Sequence, residues 1–230
     1  MFSLVFPVYN EASRLEQNIK RTIKVLNKLK IKYEIIIAED GSTDNTYQIS
    51  LSLAKKYKNL RVLHSSKRLG RGLALKKAFS IAKYGIVGYM DIDLSASLQN
   101  LKDLIEYARK FDIVTGSRYL KNRGVERKLK RKIISLVYNS IVRIVFNSRI
   151  KDHQCGFKAF KKKVITKLNK MAESNHWFWD TEILIFAQRN KYKVKEFPIS
   201  WRESEETKVN ILNDIVKMGF SILKLRFKLW

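Results

Sequence analysis

Cysteine is almost missing from this chain: Cys155 is the only one among 230 residues, which excludes an internal disulfide and is consistent with cytosolic exposure. Histidine is nearly as scarce, and His64, His153 and His176 are too scattered to carry a zinc-ligand spacing. With two prolines and no Pro-, Gly- or Ser-rich stretch, nothing reads as a linker, so one domain with one sizeable core is expected. No window offers the roughly 20 uninterrupted apolar residues of a spanning helix. No signal peptide is expected either, because Met1 runs directly into an apolar strand. Membrane contact, if made, is expected at the surface. Acidic residues are also few, and 21 Asp and Glu against 47 Lys and Arg leave a charge of +26 that implies an anionic partner. Nucleic acid, an anionic membrane surface and a phosphorylated substrate all satisfy that demand; solvated helix faces account for part of it.

What is present is an alternation of strand and helix. Apolar runs at 2–8, 33–38, 60–64 and 85–90 read as strands, with helices over 11–29, 45–57 and 72–83. The first helix is signalled by Leu15, Ile19, Ile23, Leu26 and Leu29 at helical spacing. Repeated β-then-α units predict an α/β fold, a mostly parallel central sheet flanked by helices. In such sheets ligands gather at the carboxyl ends of the strands, and Tyr9-Asn10-Glu11, Glu39-Asp40-Gly41-Ser42 and Asp91-Ile92-Asp93 sit at those ends. After a strand at 112–118 the pattern loosens. Eight basic side chains fall within 118–132, an apolar helix is expected over 133–146, and a Cys-Gly-Phe turn follows within 152–158. An aromatic run at 176–179 leads an apolar helix at 182–187, then come a strand at 194–201 and a final amphipathic helix.

Alternation points residues two apart on a strand to the same side, so Asp91 and Asp93 can reach one hard cation and the diphosphate it carries. A turn or helix cap is the plainer use of such a pair. Residues 7–11 are in the same way a strand exit followed by a helix start. Arg68-Leu-Gly-Arg-Gly72 lacks the spacing and Lys-Ser/Thr ending of a Walker loop.

Phe6-Pro-Val-Tyr-Asn-Glu11, Glu39-Asp-Gly-Ser-Thr-Asp-Asn-Thr46, Arg68-Leu-Gly-Arg-Gly72, Asp91-Ile-Asp93, Gly116-Ser-Arg118, Asp152-His-Gln-Cys-Gly-Phe-Lys158 and Trp179-Asp-Thr-Glu182 run in order along nearly the whole chain. As a set they resemble family 2 glycosyltransferases of the GT-A fold, in the branch that loads a sugar onto dolichyl or polyprenyl phosphate. Gln154-Cys-Gly-Phe-Lys158 and Ile199-Ser-Trp-Arg-Glu203 look closest to dolichyl-phosphate β-glucosyltransferases, with dolichyl-phosphate mannose synthases the near alternative. The resemblance implies one GT-A catalytic domain over 1–230, divided into a nucleotide-binding half (1–95), an acceptor-binding half (96–208) and a C-terminal amphipathic helix (209–230). It implies an inverting hexosyltransferase that needs Mg2+ or Mn2+, with a nucleoside diphosphate sugar as donor, UDP-glucose favoured, and dolichyl or polyprenyl phosphate as acceptor.

The same resemblance distributes roles. Asp93 is the expected direct metal ligand, with Asp91 toward ribose or metal. Glu39 or Asp40 accepts a hydrogen bond from the base, Pro7, Tyr9 and Glu11 line the nucleoside pocket, and Arg71 faces the nucleotide. Arg118, Arg127 and Arg131 are candidate clamps for the acceptor phosphate, the last two being equally readable as a solvated charge run. Gln154 and Lys158 belong to the acceptor side. Glu182, ahead of Asp180, contacts the sugar, so Asp93, Arg118 and Glu182 are the expected catalytic residues. Relatives often carry two aspartates where this chain has Glu39-Asp40, and often a spanning helix. Attachment on the cytoplasmic face is therefore expected to be peripheral or to use an anchoring subunit.

A lipid monophosphate, with a second pKa of about 6, arrives largely ionised and needs no base. A hydroxyl acceptor would need one, from Asp180 or Glu182. Trp177, Phe178 and Trp179 either floor the sugar site or join the core, Cys155 reads as a buried structural thiol, and His153 and His176 as pocket wall or surface. Both the 133–146 helix and the last one, where Leu212, Val216, Gly219, Leu223, Phe227 and Trp230 recur beside Lys217, Lys224 and Lys228, can lie in a lipid interface or pack on the sheet. A nucleic-acid module is the third reading. It is opposed by carboxylate clusters that repel a phosphate backbone and by the lack of a helix-turn-helix, zinc or RNA-recognition signature.

Overall fold

The computed structural model describes residues 1–120, 124–126, 128–203 and 211–229, the stretch 211–216 by its backbone alone. Its first half runs β1 (Phe2–Val8), α1 (Ala12–Lys28), β2 (Tyr33–Asp40), α2 (Thr46–Lys56), β3 (Leu60–Ser65), α3 (Arg71–Ile81) and β4 (Ile86–Met90). The second continues with α4 (Asn100–Lys110), β5 (Ile113–Ser117), β6 (Val125–Glu126), α5 (Leu129–Phe146), β7 (Phe157–Lys161), α6 (Lys162–Met171), α7 (Trp179–Arg189), β8 (Val194–Pro198), β9 (Trp201–Arg202) and α8 (Ile211–Lys228). Seven strands form one sheet in the order β3-β2-β1-β4-β7-β5-β8, and β6 pairs with β9 apart from it.

Period-two alternation sorts the strand side chains between two cores. Phe2, Leu4, Phe6 and Val8 of β1 meet Leu15, Ile19 and Leu26 of α1 and Leu101 and Leu104 of α4 on one face. Val5, Ile36, Val87 and Tyr89 meet Leu75 and Phe79 of α3, Ile165 of α6 and Ile183 of α7 on the other. All these side chains are buried.

Several boundaries differ from the sequence expectation for local reasons. Two residues longer than expected, β2 includes Glu39 and Asp40, whose carboxylates find partners at the sheet edge. In α5 the start lies at Leu129, so that Lys130, Arg131 and Lys132, good helix formers, enter its first turns. The expected 194–201 strand splits at Pro198, which lacks the N–H to continue a ladder. The segment read as a turn at 152–158 leads into β7, which inserts antiparallel between β4 and β5 with Gly88 opposite Ala159 and Val114 opposite Ala159. That insertion positions the site, because an antiparallel strand begins where its neighbours end.

Candidate active site

Five segments meet at the carboxyl edge of the sheet: the exits of β1, β2, β4 and β5, and residues 152–156 entering β7. The β1 and β2 exits are tied together. Asn10, at φ 55°, donates its N–H to Ser42 Oγ at 2.9 Å, Thr43 N–H returns to Asn10 Oδ1 at 2.8 Å, and Glu11 N–H bonds Thr46 Oγ1 at 2.7 Å. Pro7 lies in the β1 ladder opposite Ala38, the Arg68 guanidinium covers the Tyr9 ring at 4.0 Å, and Glu11 pairs with Arg14 at 2.9 Å. Glu39 and Asp40 point to opposite sides of their strand. Glu39 accepts Ser42 N–H and bonds His64 Nδ1, both at 2.5 Å, while the His64 ring stacks on Tyr47. Asp40 accepts the N–H groups of Leu69 and Gly70 at 2.7 and 2.9 Å and so fastens the 67–70 loop over the edge. Gly41, at φ 70°, allows that approach, since a Cβ there would lie 2.7 Å from the backbone of Lys67 and Arg68.

At the β4 exit Tyr89 and Asp91 project to the same side. Arg71 bridges them to α7: it donates Nε and Nη2 to Asp91 Oδ1 at 3.2 and 2.8 Å and Nη1 to Asp180 Oδ2 at 2.5 Å. Asp180 also accepts from the Tyr89 hydroxyl and, at 2.8 Å, from Lys158 Nζ. Burial raises the Asp91 carboxyl, Arg71 pulls it down and the Asp93 charge lifts it again, for a net rise. Asp93 lies just beyond the strand, where its two oxygens accept Ser95 N–H and Oγ at 3.0 and 2.8 Å. Asp91 and Asp93 are carboxylate oxygen donors, the ligand type a hard divalent cation takes. Among the described residues no group of three or more His, Cys, Asp or Glu is placed to hold one.

On the β5 side, Arg118 forms a bidentate pair with Asp152, Nε and Nη2 each donating at 2.7 Å, and lies 5.0 Å from the Trp201 ring. Burial opposes the Asp152 charge, but Arg118 outweighs it and holds the carboxyl low. Arg131 pairs with Glu203 at 2.5 Å, Gln154 reaches Met218 Sδ at 3.7 Å, and Arg127 lies outside the described residues. Lys158 is fully buried under the edge on Asp180 and the carbonyls of His153 and Cys155. Both Glu182 oxygens accept backbone N–H groups, from Glu173 and Ser174 at 3.1 and 2.9 Å, so this carboxylate holds a loop and Asp180 stands beside Asp91 instead. Burial pushes the Cys155 thiol up to about 12 and His153 down to about 3, which leaves neither a nucleophile nor a charge at neutral pH. His176 backs against Gly70; Phe178 and Trp179 are core, while His176 and Trp177 are exposed.

The family model described as "Glycosyl transferase family 2" matches residues 3–168. Glycosyltransferase AglD of Haloferax volcanii is 41% identical over 99% of this chain, which spans only 37% of that relative's length. The dolichyl-phosphate beta-glucosyltransferase of Saccharomyces cerevisiae is 31% identical over 97% of this chain and 73% of its own. Glucosyl-3-phosphoglycerate synthase from Mycobacterium tuberculosis, solved with Mn2+, UDP and phosphoglyceric acid, superposes with a TM-score of 0.76 at 17% identity, covering 98% of this chain and 78% of that one. The likeness is one of fold, GT-A.

Proposed function

The chain belongs to glycosyltransferase family 2, and from that premise we propose that it transfers a hexose, glucose from UDP-glucose first among candidates, to a polyprenyl or dolichyl phosphate at the cytoplasmic surface of a membrane. One observation carries the choice of acceptor. The two carboxylates that the sequence offered as base on a hydroxyl are both taken up, Asp180 on Tyr89, Lys158 and Arg71, and Glu182 on two backbone N–H groups. Burial opposes the Asp180 charge, but Lys158 and Arg71 hold its carboxyl below the usual range, which further weakens it as a base. An acceptor that arrives ionised removes the need. Its phosphate oxygen attacks the anomeric carbon from the face opposite the leaving diphosphate and inverts the configuration.

In this reading the β1 and β2 exits, with Pro7, Tyr9, Glu11, Glu39 and Asp40, form the nucleoside side. Asp91 and Asp93 would hold Mg2+ or Mn2+, which when bound neutralises charge on the leaving diphosphate. Arg118, oriented by Asp152, steers the acceptor phosphate, with Gln154 and Arg131 toward the same side. Lys158 and Glu182 support the site from beneath.

Docking on lipid is supported by two touching helices. On α5, Leu129, Ile133, Leu136, Val137, Ile141 and Ile144 form one exposed stripe, and on α8, which touches α5, Phe220, Leu223 and Phe227 are exposed as well. Lys130, Lys132, Lys217, Lys224 and Lys228 flank these apolar positions in sequence, the composition of an interfacial helix on anionic lipid. Among the described residues no helix is long and apolar enough to cross a membrane. The test is a panel of nucleoside diphosphate sugars incubated with polyprenyl phosphate and Mg2+ or Mn2+, scored by lipid-linked sugar. Transfer to a soluble hydroxyl acceptor with none to lipid phosphate would overturn the assignment.

A further inference from the structure

Arg71 is the first residue of α3, and its guanidinium is divided between Asp91 and Asp180. The rings of Tyr89 and Trp177 confine it at 4.9 and 5.0 Å, and only 10% of its side chain is exposed. Nε and Nη2 both address Asp91 Oδ1. The other oxygen, Oδ2, is walled by Gly156, where even a methyl group would overlap it. A divalent ion arriving alone at Asp91 therefore meets a fixed positive charge already bonded to its ligand. Among the described residues no third carboxylate is placed to complete the ion's ligand set, and Asp180, the nearest other acid, is itself taken up by Arg71 and Lys158. A cation arriving with a diphosphate brings phosphate oxygens that can replace Asp91 as the acceptor for Arg71, whose Nη1 stays anchored on Asp180.

We propose that Arg71 guards Asp91, so that cation and nucleotide bind only together, with Asp180 as the positioning residue that keeps the guanidinium in reach of both. This rests on the metal and nucleotide-sugar reading above. It makes Arg71 more than a phosphate contact: the residue excludes bare metal and imposes joint loading of the donor. Linkage requires that UDP and Mn2+ raise each other's affinity by the same factor.

The experiment is a titration of the intact protein with Mn2+, followed by electron paramagnetic resonance of the free ion, with and without UDP. Wild type should bind Mn2+ weakly alone and at least about tenfold more tightly with UDP. Arg71→Gln should bind Mn2+ alone at least about tenfold more tightly than wild type and lose most of the UDP increment. Arg71→Lys, which keeps the charge, should stay weak without nucleotide; a merely structural effect would move both variants the same way. Mn2+ binding in Arg71→Gln no tighter than in wild type overturns the guard and leaves the donor reading standing. Wild type that binds Mn2+ equally with and without UDP also overturns the guard, whatever the variants do. Wild type that binds no Mn2+ even with UDP overturns both.

Discussion

Replacing Asp180 by Asn removes one charge from a pair that water does not reach. The Lys158 side chain is 0% exposed and that of Asp180 2%, and they meet at 2.8 Å. The other contacts of Lys158 Nζ are neutral oxygens, the carbonyls of His153 and Cys155 and the Tyr89 hydroxyl. An asparagine keeps the shape but leaves the ammonium without its counter-ion and Arg71 with only Asp91. Removing one partner of a buried pair costs about 3–5 kcal/mol. For a chain of this size each kcal/mol moves Tm by about 2–4 °C, so Asp180→Asn should melt roughly 6–20 °C lower in a circular dichroism scan without ligand. The double variant Asp180→Asn/Lys158→Met should regain most of the loss, because the cost lies in the stranded charge. The pH dependence has a definite sign. Burial pushes the Asp180 carboxyl up, yet Lys158 and Arg71 hold it below its ordinary 3.8. A depressed value stabilises the fold above the unfolded-state pKa and is lost as pH falls through the folded one. The deficit of the variant should thus be constant near neutrality and shrink only below pH 3.8. A loss under about 1 kcal/mol at pH 7, or a double variant weaker than the single one, would refute the reasoning.

Arg118→Lys keeps the charge but gives up the bidentate geometry with Asp152, and transfer to lipid phosphate should fall on the order of 100-fold with UDP affinity nearly unchanged; equal losses by turnover and by titration would move Arg118 to the donor side. Gly156→Ala puts a methyl into the Asp91 carboxylate and should lower both Tm and Mn2+–UDP affinity, whereas Gly85→Ala, whose new methyl meets nothing within 4 Å, should change neither. Ile144 and Phe227 are 82% and 79% exposed. Ile144→Asp with Phe227→Asp should accordingly leave stability within about 0.5 kcal/mol per site while weakening sedimentation with anionic vesicles. Unchanged vesicle binding would remove this face as the docking surface.

Much of this was legible without coordinates, because it depends on neighbours along the chain. Apolar runs placed β1 to β5, helical spacing placed α1, and the parallel α/β pattern put the polar clusters of residues 9–11, 39–42 and 91–93 at one sheet edge, where they are found. The ordered motifs also pointed to the family. Other features depend on contacts far apart in sequence. Phe157–Lys161 carries no local mark of a strand whose partners are 86–90 on one side and 113–115 on the other. Only that pairing turns Lys158 inward, away from the acceptor side that its position in the motif suggested, and lays Gly156 against Asp91. Asp180 and Glu182 look interchangeable in a list of carboxylates. They are two positions apart on a helix that turns about 100° per residue, so they face nearly opposite ways. Tertiary packing alone decided which of those directions held Arg71 and which held the 173–174 backbone.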